Sequence, residues 1–360
     1  MASLDMADGG WLEAARPRIG EALDAEGVPG LVVAAARAGD APAHLVLGAD
    51  AAGAPLAADS LFPVASLTKL ATALAALRLV AVGAIELDAP LARYLPDAAA
   101  ARPGVTPRRL LSHTAGLPLD LAPGAAPYEH GLTWAALARA CLATPLAAAP
   151  GERVCYSNVG YGLLAIAVER LTGRPFPAAL RELVLGPLGV EGFLGEAPPR
   201  PAAHLGGRLG EHAGSDREPF NSAFWRGLAL PWAGLVTTAS GALALVRAFG
   251  GAPAGFLPQA LLAEATADQT GGAPGGTPGF LQWPRCPWGL GPELRGAKRP
   301  FYLPAAASPA AYGHAGGSGC LAFADPDAGV AWAMLAARTL PGWWIRWPAI
   351  GGAILAAARD

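Results

Sequence analysis

Apolar positions recur at helical spacing near the start of the chain. Trp11, Leu12, Ala15, Ile19 and Leu23 fall on one side of a helix over residues 11–25. Val28-Pro29-Gly30 reads as a turn, and Leu31–Ala38 and His44–Gly48 read as two strands joined at Gly39-Asp40. A long helical pattern begins near Ser66, puts Leu67, Leu70, Leu74 and Leu77 on one face, and stops at Gly83. Further helical patterns fill residues 84–235, among them Trp134–Leu142 and Gly160–Leu171. Gly319–Ala324 and Gly329–Ala336 read as strands around the turn Asp325-Pro326-Asp327-Ala328, and Pro348–Arg359 reads as a closing helix. Residues 196–222 and 250–310 are rich in Pro and Gly and read as long loops, which in a compact enzyme often border a site. Strand signals thus sit at both ends and helical signals in the middle. The pattern predicts an α/β protein of the α+β type, with one sheet built from the two chain ends, helices covering it, and an inserted helical domain.

Composition narrows the class. The chain has 360 residues, 53% hydrophobic and 15% charged, which is too apolar for a disordered chain and ample for a sizeable core. Alanine, at 84 residues, carries much of that bias. The net charge is -2 with no basic block, so a nucleic-acid partner is not expected. Cys141, Cys155, Cys286 and Cys320 form no CxxC pair and no zinc spacing, and read as free packed thiols. No basic segment precedes an apolar run at the N-terminus, where Asp5, Asp8 and Glu13 come before any Arg. The most apolar stretch, Leu70–Leu87, is interrupted by Arg78, Gly83 and Glu86. A cytoplasmic protein with no membrane partner is expected. The cations are lopsided, with 24 Arg against only Lys69 and Lys298. Each lysine therefore asks for a reason.

Lys69 closes the motif Ser66-Leu67-Thr68-Lys69 at the head of the long helix. Residues i and i+3 share a helix face, so the amine can reach the hydroxyl. A serine hydroxyl is a poor nucleophile until a base takes its proton. Lysine becomes that base when burial or nearby positive charge lowers its pKa, which arginine cannot do. Chance supplies roughly 0.06 such SxxK matches in this composition, so the motif alone suggests rather than decides. Tyr156-Ser157-Asn158 supplies a phenol able to shuttle a proton and an amide able to hold a carbonyl and an amine together. His314-Ala315-Gly316-Gly317 stands before a predicted strand, where the Gly317 N–H could join that of Ser66 in an oxyanion hole.

These segments, in this order, resemble the serine β-lactamase and penicillin-binding protein superfamily, in its class C β-lactamase-like branch of esterases and D-amino-acid peptidases. Val28-Pro29-Gly30-Leu31, Leu61–Lys69, Gly83–Leu91 with Tyr94-Leu95-Pro96, Leu110–Pro118, Pro150–Gly173, Pro231–Ala239 and the His314–Gly317 segment carry the likeness over roughly residues 25–340. The resemblance implies an antiparallel sheet and two domains. Residues 1–80 and 231–360 would form the sheet-and-helix part, residues 81–230 the helical part, and the active site would lie in the cleft between them. It implies Ser66 as the acylated nucleophile, Lys69 as its activating amine and Tyr156 as the general base and acid. Asn158, His314, Gly316 and Gly317 would bind substrate. His314 stands where many relatives carry lysine, and a largely neutral imidazole favours uncharged esters or amides over carboxylate-bearing substrates.

The expected function is hydrolysis of small esters or amides through an acyl-enzyme, with no metal or organic cofactor. β-Lactamase, D-amino-acid peptidase, acyl transfer and a catalytically silent penicillin-binding sensor stay open, as does the oligomeric state. Plainer roles also stay open for single residues. Tyr156 could be a packed aromatic, Asn158 a turn residue and His314 structural. His113 is expected to order a loop by hydrogen bonding. Trp225, Trp232, Trp283 and Trp288 could line an apolar pocket or merely pack. His204 and His212 lack ligand spacing, so no metal site is expected.

Overall fold

The computed structural model describes residues 10–359, so the acidic positions Asp5 and Asp8 lie outside the described residues. The elements that matter for the site are, in chain order, α1 (Arg16–Asp24), β1 (Gly30–Arg37), β2 (Ala43–Gly48), α2 (Thr68–Ala81), α3 (Asn158–Thr172), α4 (Ala239–Ala248), β3 (Glu293–Leu294), β4 (Tyr312–Gly316), β5 (Cys320–Asp325), β6 (Val330–Ala336) and α5 (Trp347–Ala357). The six strands form one antiparallel sheet in the order β2-β1-β6-β5-β4-β3. The two ends of the chain meet where β1 pairs β6, from Leu31 opposite Ala336 to Arg37 opposite Val330.

Alternation along β1 assigns its two faces. Leu31, Val33 and Ala35 pack with α1 and α5, while Val32, Ala34 and Ala36 join the core that contains α2 and α4. A strand buried on both faces reads as a continuous apolar run, which explains why Gly30–Arg37 shows no polar alternation. Helix α2 is likewise enclosed, with eleven of its fourteen residues buried, Lys69 among them. A helix apolar on all sides belongs at the centre of a fold, and α2 packs against α3 and α4 there. Each fully buried leucine on it contributes on the order of 2 kcal/mol.

The helices Trp134–Ala143 and Asn158–Thr172 match the sequence reading to within two residues, and α5 starts at Trp347 rather than Pro348. Two expectations are corrected. Residues 250–310 are not loop throughout, for they hold the helix Gln259–Ala265 and strand β3. His314 does not precede a strand but lies inside one, β4. With sequence YGHAG this strand has two glycines and no β-branched residue, so propensity gave no signal, and pairing with β5 and β3 decides its conformation. Among the described residues, no helix is long and apolar enough to cross a membrane.

Candidate active site

Ser66 lies in a 3-10 turn, Ala65–Leu67, that leads directly into α2. The turn is entered through Ala65, whose φ of 43° is left-handed. A non-glycine residue held there stores strain, which surrounding contacts must over-determine. Those contacts come from Thr68, which donates to the Ala65 carbonyl at 2.6 Å and accepts from the Leu235 N–H at 3.0 Å. Ser66 is half-buried, whereas the groups behind it are shut from solvent.

Lys69 is fully buried, and its Nζ reaches three oxygens: Asn158 Oδ1 at 2.7 Å, the Trp232 carbonyl at 3.0 Å and Ser66 Oγ at 3.5 Å. Burial pushes its pKa well below the ordinary lysine value, and the carboxylate of Asp120 only partly opposes this. The amine is thereby available as a base. Asn158 is the first residue of α3, and Ser157, the N-cap, accepts from the Gly160 N–H. The Asn158 Nδ2 donates to Asp120 Oδ1 at 2.5 Å. This amide therefore links a buried amine to an exposed carboxylate.

Tyr156 is placed by two anchors. Its N–H donates to the Gly276 carbonyl at 3.0 Å, in a small sheet where Val154–Cys155 pairs Gly275–Gly276. Its ring packs against His113 at 4.6 Å, and the Lys69 Nζ sits 4.5 Å from its centroid. The hydroxyl is buried without a hydrogen bond of full geometry. Burial raises its pKa well above 10, against the lowering influence of the neighbouring Ser66 hydroxyl, so the phenol holds its proton at neutral pH. His113, at a left-handed φ of 59°, accepts from the Ser157 N–H through Nδ1 at 3.0 Å, while its carbonyl accepts from the Cys155 N–H. It orders the loop that carries Tyr156, as the sequence reading expected.

His314 is buried, with its ring 5.7 Å from Tyr156 and 5.8 Å from Trp288. Nδ1 lies 2.6 Å from the Ala315 carbonyl and Nε2 has no partner. Burial, helped by nearby Lys69, pushes its pKa down to about 3, so the imidazole is neutral. The side chain at this position therefore supplies no fixed cation. Gly316 packs against the nucleophile turn: a Cβ there would lie 2.6 Å from the Val64 carbonyl oxygen and 3.5 Å from the Ser66 nitrogen. Gly317 is exposed and faces open space.

Sequence reasoning missed two participants. Asp120 lies two residues beyond the Leu110–Pro118 segment, and nothing in its surroundings signals a partner for Asn158. Glu293 pairs with Lys298 at 2.7 Å in the interior, with burial raising the carboxyl and the ammonium lowering it. Lysine scarcity flagged Lys298 but not this partner. Trp288 separates the pair from the site, standing 5.1 Å from Lys298 Nζ on one side and 4.7 Å from His113 on the other. Trp225, Trp232 and Trp283 are also buried.

A strained turn presenting a serine, a desolvated lysine behind it and a buried phenol beside it define a class. The Beta-lactamase family model matches residues 15–344, and the chain belongs to that family. Its relatives include esterase EstB of Burkholderia gladioli, 40% identical over 167 residues, with 41% of this chain and 42% of the relative covered. The D-alanyl-D-alanine-carboxypeptidase/endopeptidase AmpH of Escherichia coli K12 is 34% identical over 140 residues, covering 37% of this chain and 36% of AmpH. The chain thus matches about two fifths of the length of these relatives. Among solved structures, a penicillin-binding protein homologue from Caulobacter crescentus superposes with a TM-score of 0.76 at 27% identity, covering 96% of this chain and 97% of that one.

Proposed function

We propose that the protein is a serine hydrolase that cleaves small esters or amides through an acyl-enzyme on Ser66. The observation that carries this reading is the fully buried Lys69 amine, 3.5 Å from Ser66 Oγ, whose pKa burial lowers well below the ordinary lysine value. In the first step the neutral amine takes the Ser66 proton as Oγ attacks the substrate carbonyl. The N–H groups of Ser66 and Gly317 receive the developing oxyanion. The Tyr156 phenol gives its proton to the departing oxygen or nitrogen, and the Lys69 ammonium restores it. Water then clears the acyl group by the reverse proton path. Asn158 holds the amine through Oδ1; of the two hydrogens on Nδ2, Asp120 takes one and the other serves the substrate carbonyl.

His314 and the glycines keep supporting roles in this proposal. Neutral His314 braces Tyr156, and Gly316 lets β4 approach the nucleophile turn. The domain division at residues 1–80 with 231–360, and 81–230, is part of the same reading. Ser66, Lys69 and His314 come from the first part and Tyr156, Asn158 and Asp120 from the second, which supports a cleft between them. The neutral imidazole favours uncharged substrates over carboxylate-bearing β-lactams or peptides. The substrates are small molecules, and no metal or organic cofactor enters the scheme.

Turnover of 4-nitrophenyl acetate by wild type and Ser66→Ala tests this, with intact-protein mass spectrometry reading the acyl adduct. The variant should lose most of the rate, up to about a millionfold, and the adduct. Unchanged turnover in Ser66→Ala contradicts the assignment.

A further inference from the structure

Two segments flank the site, and each is hydrogen-bonded to a residue of the proposed machinery. The first is the tight turn that follows Gly276. Tyr156 donates to the Gly276 carbonyl, Thr277 donates to the Leu281 carbonyl at 2.8 Å, and Phe280 donates to the Thr277 carbonyl at 3.1 Å. This geometry makes Phe280 the closing residue of a turn whose tip is Pro278-Gly279, and its side chain is 40% exposed. The second segment follows β6. Leu340 donates to the Gly317 carbonyl at 3.0 Å, and the chain then forms the 3-10 turn Trp344–Arg346. The segments meet through their aromatic rings: Phe280 and Trp344 are edge to face at 5.5 Å, with Tyr302 beneath both, 6.4 Å and 6.0 Å away. Ile345, beside them in sequence, is 56% exposed.

An exposed Phe held at a rigid turn costs solubility without adding to the core. Nor does the patch offer a charge. The guanidiniums on this side are committed elsewhere, Arg338 to the Glu26 carbonyl and Arg346 to the Glu26 carboxylate at 2.8 Å. The patch that Phe280, Trp344 and Ile345 present to solvent is therefore apolar and aromatic. In the acyl-enzyme reading Tyr156 protonates the departing atom, so the group that atom carries leaves on the side of the site that these two backbone-linked segments border.

We propose that Phe280, Trp344 and Ile345 form a leaving-group subsite, and that the substrates are esters of bulky apolar or aromatic alcohols. The proposal rests on the acyl-enzyme reading and adds the substrate class to it. In acylation the Ser66 Oγ–acyl bond forms as the acyl–oxygen bond breaks. The alkoxide takes the Tyr156 proton and leaves as the alcohol along the aromatic face.

The test is kcat/KM for 2-naphthyl acetate, ethyl acetate and methyl 2-naphthoate with wild type, Phe280→Ser, Trp344→Ser, Phe280→Tyr and Ser66→Ala. Each serine variant should lower 2-naphthyl acetate about fivefold, the scale of a lost aromatic contact, and leave ethyl acetate within about twofold. Phe280→Tyr, which keeps the ring, should retain the naphthyl preference. An equal fall on all three esters, no fall, or a fall centred on methyl 2-naphthoate, which carries its ring on the acyl side, overturns the proposal. If Ser66→Ala hydrolyses 2-naphthyl acetate at the wild-type rate, the acyl-enzyme reading itself fails and the subsite falls with it.

Discussion

The Lys69 amine donates to Asn158 Oδ1 at 2.7 Å, and the other end of that amide is held by Asp120. One side chain therefore sets the position of the base and connects it to a charge at the surface. Asp120 raises the Lys69 pKa against the larger lowering by burial. In the proposed chemistry only the neutral amine accepts the Ser66 proton, so activity falls as pH drops through the Lys69 pKa. Removing the carboxylate makes protonation harder. Asp120→Asn should move the acidic limb of kcat/KM to lower pH. A pH-rate profile checks this, and a limb that moves upward opposes it.

Gly316, the last residue of β4, lets the strand pack against the nucleophile turn. A methyl group there would meet the Val64 carbonyl oxygen at 2.6 Å, and backbone cannot turn aside as a flexible side chain can. Gly316→Ala should cost about 1–3 kcal/mol by overpacking and lower kcat more than tenfold by displacing Ser66. Gly317→Ala meets open space and should lose far less stability. Urea melts and ester kinetics on the two variants give the comparison.

Much of this was legible before any coordinates. Periodicity located α2 because Leu67, Leu70, Leu74 and Leu77 repeat at helical spacing, and the run Leu31–Ala38 marked a strand. The spacing of Ser66 and Lys69 is itself a statement of helical geometry. What escaped depends on contacts distant in sequence. β4 has a composition no propensity favours, and only its neighbours in the sheet make it a strand. Asp120 and Asn158 are 38 residues apart, and nothing local links a loop aspartate to an amide at a helix start. The rarity of lysine pointed to Lys298, yet its partner Glu293 and the aromatic shell are features of packing.

The buried imidazoles make stability depend on acid. His314 is held neutral with its pKa pushed down to about 3, and His113 is also lowered well below the usual value. In the unfolded chain both take up protons near pH 6.5. The unfolded state therefore binds more protons below that pH, and stability drains away as pH falls from 6.5 toward 3. His314→Gln should remove about 1 kcal/mol per pH unit of that loss between pH 6 and 4. Urea unfolding across this range measures the slope, and an unchanged slope rejects the assignment.

Lys298 and Glu293 form a pair shut from water, with the ammonium enclosed by Trp283, Trp288 and Phe301 at 4.8–5.4 Å and bonded to the Pro287 carbonyl at 3.0 Å. Breaking such a pair leaves an uncompensated buried group, a loss of about 3–5 kcal/mol. Lys298→Met should be destabilised on that scale, and Lys298→Met with Glu293→Leu should recover much of it. Denaturant melts of the single and double variants distinguish this from a pair that contributes nothing.

The account turns on the charge of one amine, and the composition makes that charge directly measurable. With only two lysines in the chain, lysine labelled with nitrogen-15 at Nζ gives two side-chain signals, and Lys69→Met assigns them by deleting one. The account predicts that the deleted signal titrates well below 10.5 in the folded protein. A midpoint at or above 10.5 would mean that burial does not lower the Lys69 pKa, and the proposed base would be lost.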